Sequence, residues 1–240
     1  MKKVTTSWMY SLAIMGVFLM IISSCQKKAD SNPPTGGTVT DIDGNVYHTV
    51  TIGTQTWMVE NLRTTRYNNG AAIPLVTEGE AWSALTTPGY CWYKNDETTF
   101  KPSCGALYNW YAVATGKLCP TGWHVPTVEE WTTLATYLGG DTLAGGKMKS
   151  TGTIGAGTGL WQDPNTGATN ESGFTAIPAG FRYRNYGVYD YFGSLGFLWS
   201  SSEVSTINAW GQHLQYNYKG LTRYSHEKVY GFSVRCIRDV

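Results

Sequence analysis

The stretch from Leu118 to Trp131, L-C-P-T-G-W-H-V-P-T-V-E-E-W, concentrates residue types that could do chemistry. A cysteine with a histidine could form a nucleophile and its base, and a histidine with two carboxylates could hold a metal ion. The same residues could equally form a disulfide, a helix cap and part of a core. The secondary structure expected around them distinguishes these possibilities.

A capped helix explains the carboxylates of this stretch. Thr127 and Glu130 have the capping-box spacing, in which each side chain accepts a hydrogen bond from the other residue's backbone N–H. An apolar face follows at helical spacing, formed by Trp131, Leu134, Ala135 and Leu138. Gly139 and Gly140 then end the helix. His124 has no ligand spacing to His48, His213 or His226, so we predict a structural role for it and no catalytic site.

Four cysteines lie in the part of the chain predicted to fold, namely Cys91, Cys104, Cys119 and Cys236. An even number in an oxidising compartment indicates two disulfides, for which three pairings are possible. Proximity in sequence favours Cys91 with Cys104, and Cys119 then pairs with Cys236. Metal binding by the thiols is the alternative, but no Cys-x-x-Cys pair supports it. We expect neither a metal nor another cofactor.

Residues 1–24 have the pattern of a secretory signal, since Lys2 and Lys3 precede an apolar run too short to span a membrane comfortably. Ile22-Ser23-Ser24-Cys25 resembles a bacterial lipobox, which implies that Cys25 is acylated and holds the protein at a membrane. The alternative is an ordinary signal peptide with a chance cysteine. Residues 25–38 are predicted to be a lipidated flexible tether. An aspartate after the cysteine would resemble an inner-membrane retention signal. The residue there is Gln26, which favours the outer membrane, and the sequence leaves open which face of that membrane carries the protein.

Residues 39–240 are long enough for one domain with its own core. The net charge of +1 and a charged fraction of 15% give no electrostatic basis for binding nucleic acid. The 10 tryptophans and 16 tyrosines could fill the core or form a sugar-binding platform, and the core is the favoured interpretation.

Alternating polarity predicts a hairpin from residues 46–51 and 55–59. Residues 107–114 could form a short helix, and the glycine-rich segment 145–173 is predicted to be a loop. Further short strands are expected at residues 174–177, 196–200, 209–216 and 231–237.

Seven motifs together resemble the Fibrobacter succinogenes major paralogous domain. They lie at residues 41–62, 90–96, 105–113, 118–131, 173–182, 197–203 and 231–239, and include Y-C-W-Y-K-N-D, G-A-L-Y-N-W-Y-A-V and G-F-S-V-R-C-I-R-D. The resemblance covers nearly all of residues 39–240, in order. It implies a secreted or lipid-anchored bacterial protein but no particular activity.

Two weaker resemblances concern the fold. Cys119 before a helix and Cys236 near the chain's end are placed similarly to the long-range disulfide of C-type lectin-like domains. G-W-H-V-P-T-V-E-E-W also resembles a helix start in formylglycine-generating-enzyme-like proteins. Both imply an α+β, C-type lectin-like fold with two short helices, a small twisted antiparallel sheet and long loops. The functional motifs of both families are missing, so we expect no catalysis.

We therefore predict a binding module of the cell envelope for glycan or protein ligands. The candidate surface is an aromatic stretch with Tyr183, Arg184, Tyr186, Tyr189 and Tyr191, and Trp161, Asp163 and Asn165 of the long loop could join it. The alternatives are rings that pack onto the core, a structural subunit of a surface assembly or adhesin, and an enzyme of unrecognised type.

Overall fold

The computed structural model describes residues 36–240. The predicted signal peptide (1–24), the lipidation site Cys25 and most of the predicted tether (25–38) lie outside the described residues. Within residues 36–240, no helix combines the length and the hydropathy that crossing a membrane requires.

The described residues form strands joined by short helices and long loops. The strands are β1 (Thr38–Thr40), β2 (Val46–Ile52), β3 (Gln55–Met58), β4 (Tyr90–Cys91), β5 (Leu107–Tyr108), β6 (Trp123–His124), β7 (Ala179–Arg182), β8 (Tyr189–Phe192), β9 (Leu195–Glu203), β10 (Asn208–Gln215), β11 (Tyr218–Glu227) and β12 (Ile237–Arg238). The helices are α1 (Gly79–Ser83), α2 (Glu97–Cys104), α3 (Trp110–Val113), α4 (Val128–Tyr137) and α5 (Asp141–Met148), with 3₁₀ turns at Tyr93–Asn95 and Asn185–Gly187.

The first sheet has the strand order β1-β2-β3-β12-β6. Its β2–β3 hairpin confirms the prediction from alternating polarity, with Thr51 opposite Thr56 across the turn. The last strand, β12, lies between β3 and β6, where Ile237 pairs with Trp57 on one side and with His124 on the other. The two ends of the described chain therefore share one sheet.

The second sheet has the order β11-β10-β9-β7-β8. Its neighbouring strands are antiparallel except for β7 and β9, which pair in parallel through Gly180 and Gly196. The long β10–β11 hairpin forms one edge, and β8 forms the other. A separate two-stranded sheet pairs β4 with β5.

Large rings fill the core, as the composition indicates. Trp57 packs against Trp131 and Phe174 on one side of the molecule. A second group stacks Phe232 against Phe197 and Trp199. The tryptophans at 57, 82, 92, 131, 161 and 199 have almost no exposed surface. Much of the aromatic content of residues 36–240 therefore stabilises the core by apolar burial.

The predicted α+β, C-type lectin-like fold with two short helices and a small twisted antiparallel sheet is wrong. Residues 36–240 are mostly β, with two curled five-stranded sheets and five helices of 4 to 10 residues. Three strands of the second sheet, β7, β8 and β11, were not predicted from the sequence, and β11 is the longest of them. It is an edge strand in which Gly220 and Leu221 are the buried residues, so its sequence carries no alternating apolar pattern.

Helix α5 occupies the start of the segment predicted to be a loop. Gly145 and Gly146 lie inside it, although glycine disfavours helix interiors. A Cβ at Gly145 would lie 2.0 Å from the carbonyl oxygen of Gly220, and one at Gly146 would lie 2.4 Å from that of Gly167. The glycines thus permit close backbone packing, a tertiary effect that outweighs helix propensity.

Segment 107–114 also differs from the expected single helix, because Leu107 and Tyr108 form β5 before α3 begins. Residues 174–177 make only an isolated bridge, between Ala176 and Lys149. Of residues 231–237, only the last enters a named strand.

The long-range disulfide is present, whereas the short-range one is not. Cys119 and Cys236 are bonded across 117 residues of sequence. The predicted Cys91–Cys104 pairing is wrong, since both are free buried thiols. Strand pairing sets Cys91 opposite Leu107, and its thiol faces Tyr189 and Arg182, whereas the thiol of Cys104 contacts the Ser103 hydroxyl. Closeness in sequence did not bring the two sulfur atoms together.

Candidate ligand-binding site

The Leu118–Trp131 stretch forms a structural clamp at the start of α4. Thr127 accepts a hydrogen bond from the Glu130 N–H and Glu130 accepts one from the Thr127 N–H, which confirms the capping box. His124 lies 2.8 Å from the other carboxylate oxygen of Glu130 and 2.6 Å from Asp239. Partial burial lowers the pKa of His124, but its hydrogen bonds to Asp239 and Glu130 outweigh this and raise it. With Cys119 in a disulfide, these residues join the helix to the chain's end.

The acidic turn before β2 is also occupied by internal hydrogen bonds. Asp41 accepts from the Tyr47 hydroxyl at 2.7 Å, and Asp43 accepts from the Thr65 N–H and pairs with Arg66. Among residues 36–240, no three histidine, cysteine, aspartate or glutamate side chains converge as a metal site would require.

The candidate residues of the long loop divide into buried and exposed ones. Trp161 is buried, and its indole N–H donates to the Ser150 hydroxyl and to the Ala176 carbonyl. Asn165 is buried as well and donates to the Ser150 and Gly152 carbonyls. Asp163 is exposed beside Gly155 of the same loop. Trp161 and Asn165 therefore hold the loop together and present no binding surface.

Two of the candidate tyrosines also pack inward. Tyr189 donates its hydroxyl to Asn95 at 2.6 Å, and its ring lies 5.4 Å from that of Tyr93. Tyr183 packs its ring against those of Phe181 and Tyr230. Both side chains are partly buried and fix the segment 183–191 to the body of the molecule.

Tyr186 and Tyr191 are the exposed rings of the segment. Tyr191 is 41% exposed and stacks on Phe181 with centroids 5.6 Å apart. Tyr186 is 83% exposed. Both have left-handed backbone conformations, with φ of 54° at Tyr186 and 61° at Tyr191. A bulky residue rarely adopts this conformation, which costs about 1–3 kcal/mol and is retained where surrounding structure enforces it.

Close backbone contact with α1 enforces the conformation at Tyr186. A Cβ at Gly79 would lie 2.2 Å from the Tyr186 carbonyl oxygen, and one at Gly187 would lie 2.6 Å from the Gly79 Cα. The Ser83 hydroxyl donates to the Arg184 carbonyl across the same contact. Two glycines thus let the first turn of α1 lie directly against the 3₁₀ turn that carries Tyr186.

Arg182, which was not predicted as a site residue, also holds the Tyr186 turn against the segment before α1. Its guanidinium donates to the carbonyls of Gly187, Val76 and Thr77 at 3.0, 2.6 and 2.6 Å. The group also lies between the rings of Trp82 and Tyr189, 4.6 and 4.8 Å from their centroids. Arg182 therefore ties the segment before α1 to the Tyr186 turn.

The two elements border an open groove of about 520 Å³, here called the Tyr186 groove. Its lining consists of Glu80, Ser83, Ala84, Arg184, Asn185 and Tyr186. A neighbouring cleft of about 380 Å³ shares Ser83, Ala84 and Arg184 and continues towards Ile207 and Glu227. Arg184 forms an ion pair with Glu227. Of the predicted candidates, the groove brings together Arg184 and Tyr186, and it adds residues of α1, about one hundred positions earlier.

The groove offers an aromatic face with polar groups around it. An exposed ring can stack on the apolar face of a sugar or a flat side chain. The carboxylate of Glu80, the guanidinium of Arg184 and the amide of Asn185 supply both hydrogen-bond acceptors and donors. This combination suits recognition of a polar ligand lying along the surface.

A model of the Fibrobacter succinogenes major domain matches residues 50–238 of the chain. No curated protein matches the chain, and no solved structure matches it.

Proposed function

We propose that this chain, which belongs to the Fibrobacter succinogenes major domain family, is a non-catalytic binding module that holds a glycan in the Tyr186 groove. Core packing does not explain why Tyr186 borders this groove. Tyr186 contributes little to the core and has an unfavourable backbone conformation, which Arg182 and two glycines hold in place.

The exposed, enforced Tyr186 ring beside a polar groove is the observation that carries the proposal. Residues in left-handed conformations concentrate at ligand-binding sites, where surrounding contacts enforce them. Fixing the backbone of the turn before binding also lowers the entropy that is lost when a ligand arrives. A freely moving surface tyrosine would have neither property.

Glycans fit the groove because its polar side chains match hydroxyl groups. A sugar hydroxyl can donate to Glu80 and accept from Arg184 or Asn185, while the sugar's C–H face stacks on Tyr186. The groove is open along its length through the neighbouring cleft. An extended chain of several sugar units could therefore lie across it.

The proposal includes attachment to the cell envelope. Acylation at Cys25 would anchor the chain in the outer membrane, with residues 25–38 as the tether. The membrane is then a partner through the lipid alone, and the module faces its ligand at a distance set by the tether.

A glycan array tests the proposal. The full chain in detergent would be compared with Tyr186→Ala and with Tyr137→Ala, whose ring is 65% exposed on α4 outside the groove. We expect the wild-type chain and Tyr137→Ala to bind one class of glycan and Tyr186→Ala to lose it while keeping the wild-type circular dichroism spectrum. Binding that survives in Tyr186→Ala would contradict the site.

The alternative of a structural subunit in a surface assembly would use the same region. Val188 and Ile207 are 53% and 61% exposed near the groove, and exposed apolar side chains are typical of protein contacts. An array without any bound glycan, combined with Tyr186-dependent self-association in analytical ultracentrifugation, would favour this function instead.

A further inference from the structure

A second cleft, of about 420 Å³, lies where helices α4 and α5 meet the outer part of the β10–β11 hairpin. We call it the Gln212 cleft. The residues that line it include Trp131, Asp141, Gln212, Tyr218, Leu221 and Arg223. It shares no lining residue with the Tyr186 groove.

Strand pairing explains why polar and apolar groups meet here. Gln212 of β10 lies directly opposite Arg223 of β11. The Arg223 guanidinium stacks over the Trp210 ring at 5.0 Å, which keeps it beside the cleft. Trp131 and Leu221 belong to the core beneath, and they give the cleft an apolar base.

Gln212 is the unusual residue of this cleft. It is 3% exposed, yet its side-chain amide makes no hydrogen bond with any of residues 36–240. Other buried amides are bonded: Asn109 donates to the Thr87 carbonyl and accepts from two backbone N–H groups. The amide atoms themselves are not fully buried, and they face the open cleft that Gln212 lines. The indole N–H of Trp131, in the same lining, is also unpaired within the described residues.

We propose that the Gln212 cleft is a second binding site, for one neutral polyhydroxylated unit such as a monosaccharide. The Gln212 amide offers two donors and one acceptor, which match vicinal hydroxyl groups. Asp141 and Arg223 carry opposite charges at the same cleft, so a neutral ligand suits it better than a charged one. The rings and Leu221 supply the apolar surface on which the C–H groups of a sugar pack.

The site stands on the unpaired amide and is independent of the Tyr186 groove. A ligand hydroxyl would satisfy the amide that no protein group reaches. Loss of one site leaves the other in place, so separate variants can distinguish the two proposals.

Titration of the full chain with glucose, galactose, mannose and N-acetylglucosamine tests the inference. The readout is the NMR signals of the Gln212 side-chain amide and the Trp131 indole N–H, assigned with Gln212→Met. We expect at least one sugar to shift both signals at millimolar concentration, and we expect Gln212→Met to weaken its binding by about tenfold, the effect of losing one or two hydrogen bonds. Gln215→Met, on the same strand, is the matched control and should bind as the wild type does.

Three results would overturn the inference: no shift with any of the sugars, equal affinity in Gln212→Met, or a lower Tm in Gln212→Met. The last would show that the amide is satisfied within the protein. We expect the Tm to stay about equal, because methionine keeps the volume and the Gln212 amide makes no hydrogen bond within residues 36–240. Tyr186→Ala should leave these NMR shifts unchanged, whichever way the glycan array turns out.

Discussion

Buried cations held by backbone carbonyls recur in this molecule. Lys149 donates to three carbonyls, Arg235 to two, and Lys228 to one as well as to Glu203. Each also lies against an aromatic ring. Burial lowers the pKa of Lys149 to about 8 and that of Arg235 to about 9. Because a buried charge is costly unless hydrogen-bonded, these residues fix the loops whose carbonyls they contact.

Arg182 is the cation of this kind that supports the Tyr186 groove. Arg182→Met would leave the carbonyls of Val76, Thr77 and Gly187 without their donor, and we expect a loss of about 3 kcal/mol in the free energy of unfolding. Urea denaturation measures it. The exposed Arg238→Met is the control and should change stability by less than about 0.5 kcal/mol. Equal stability of the two variants would contradict the role of Arg182.

Acid should destabilise the protein through a buried histidine pair. His213 and His226 lie with their Nε2 atoms 2.7 Å apart between β10 and β11, and burial lowers the pKa of both. Below about pH 6.5 the unfolded chain binds protons that the folded chain does not. The free energy of unfolding therefore decreases as the pH falls below that value. Urea midpoints from pH 7.5 to 4.5 measure this effect.

The double variant His213→Gln, His226→Gln should flatten that pH dependence. The raised pKa of His124 has the opposite effect on stability. The contribution of His124 to the free energy of unfolding is lost as the pH rises, over a range above that of the histidine pair. An unchanged slope in the double variant would refute the assignment.

At the scale of elements, the contact between α1 and the Tyr186 turn determines the groove. Neither element is stable alone, since α1 has five residues and the turn has three. Their backbones meet at Gly79 and Gly187, with no side chain between them. The site therefore depends on two glycines more than on the conformational preferences of either element.

Gly79→Ala should separate the two elements. Its new Cβ would collide with the Tyr186 carbonyl, so we expect a stability loss of about 1–3 kcal/mol together with a weaker glycan affinity. Thermal denaturation and the glycan titration measure the two effects. Gly37→Ala is the control, because a Cβ there would have no neighbour within 4 Å. Wild-type affinity in Gly79→Ala would show that the contact does not position Tyr186.

Across the whole molecule, the Cys119–Cys236 disulfide joins the chain just before the last strand to the segment that leads into β6 and α4. We expect Cys236→Ser to lower the free energy of unfolding by a few kcal/mol, with about 4–5 kcal/mol as the upper value from chain entropy. Mass spectrometry after alkylation checks the pairing itself. Cys91 and Cys104 should react on unfolding without a reductant, whereas Cys119 and Cys236 should need reduction. Reaction of Cys91 only after reduction would contradict the pairing described.

Local patterns in the sequence predicted some of this fold. The β2–β3 hairpin and the α4 capping box follow from alternation and spacing, and the Cys119–Cys236 bond is confirmed. The edge strand β11 and the glycine-containing α5 could not be predicted, because tertiary contacts stabilise them and local propensity does not.

The candidate site was predictable only in part. Arg184 and Tyr186 were identified from residue type, but nothing local to Trp161 or Tyr189 distinguishes a buried ring from an exposed one. The α1 side of the groove lies far away in sequence. The left-handed backbone at Tyr186 and the carbonyl bonds of Arg182 are properties of the folded chain alone.

Calorimetric titration of the strongest glycan from the array into the full chain and three variants tests the Tyr186 groove directly. Tyr186→Phe keeps the ring and should bind within a few-fold of the wild type, and Tyr137→Ala should bind as the wild type does. Tyr186→Ala should bind at least about tenfold more weakly, since a stacking contact contributes about 1.4 kcal/mol or more. Equal dissociation constants for Tyr186→Ala and the wild type would show that the glycan binds elsewhere.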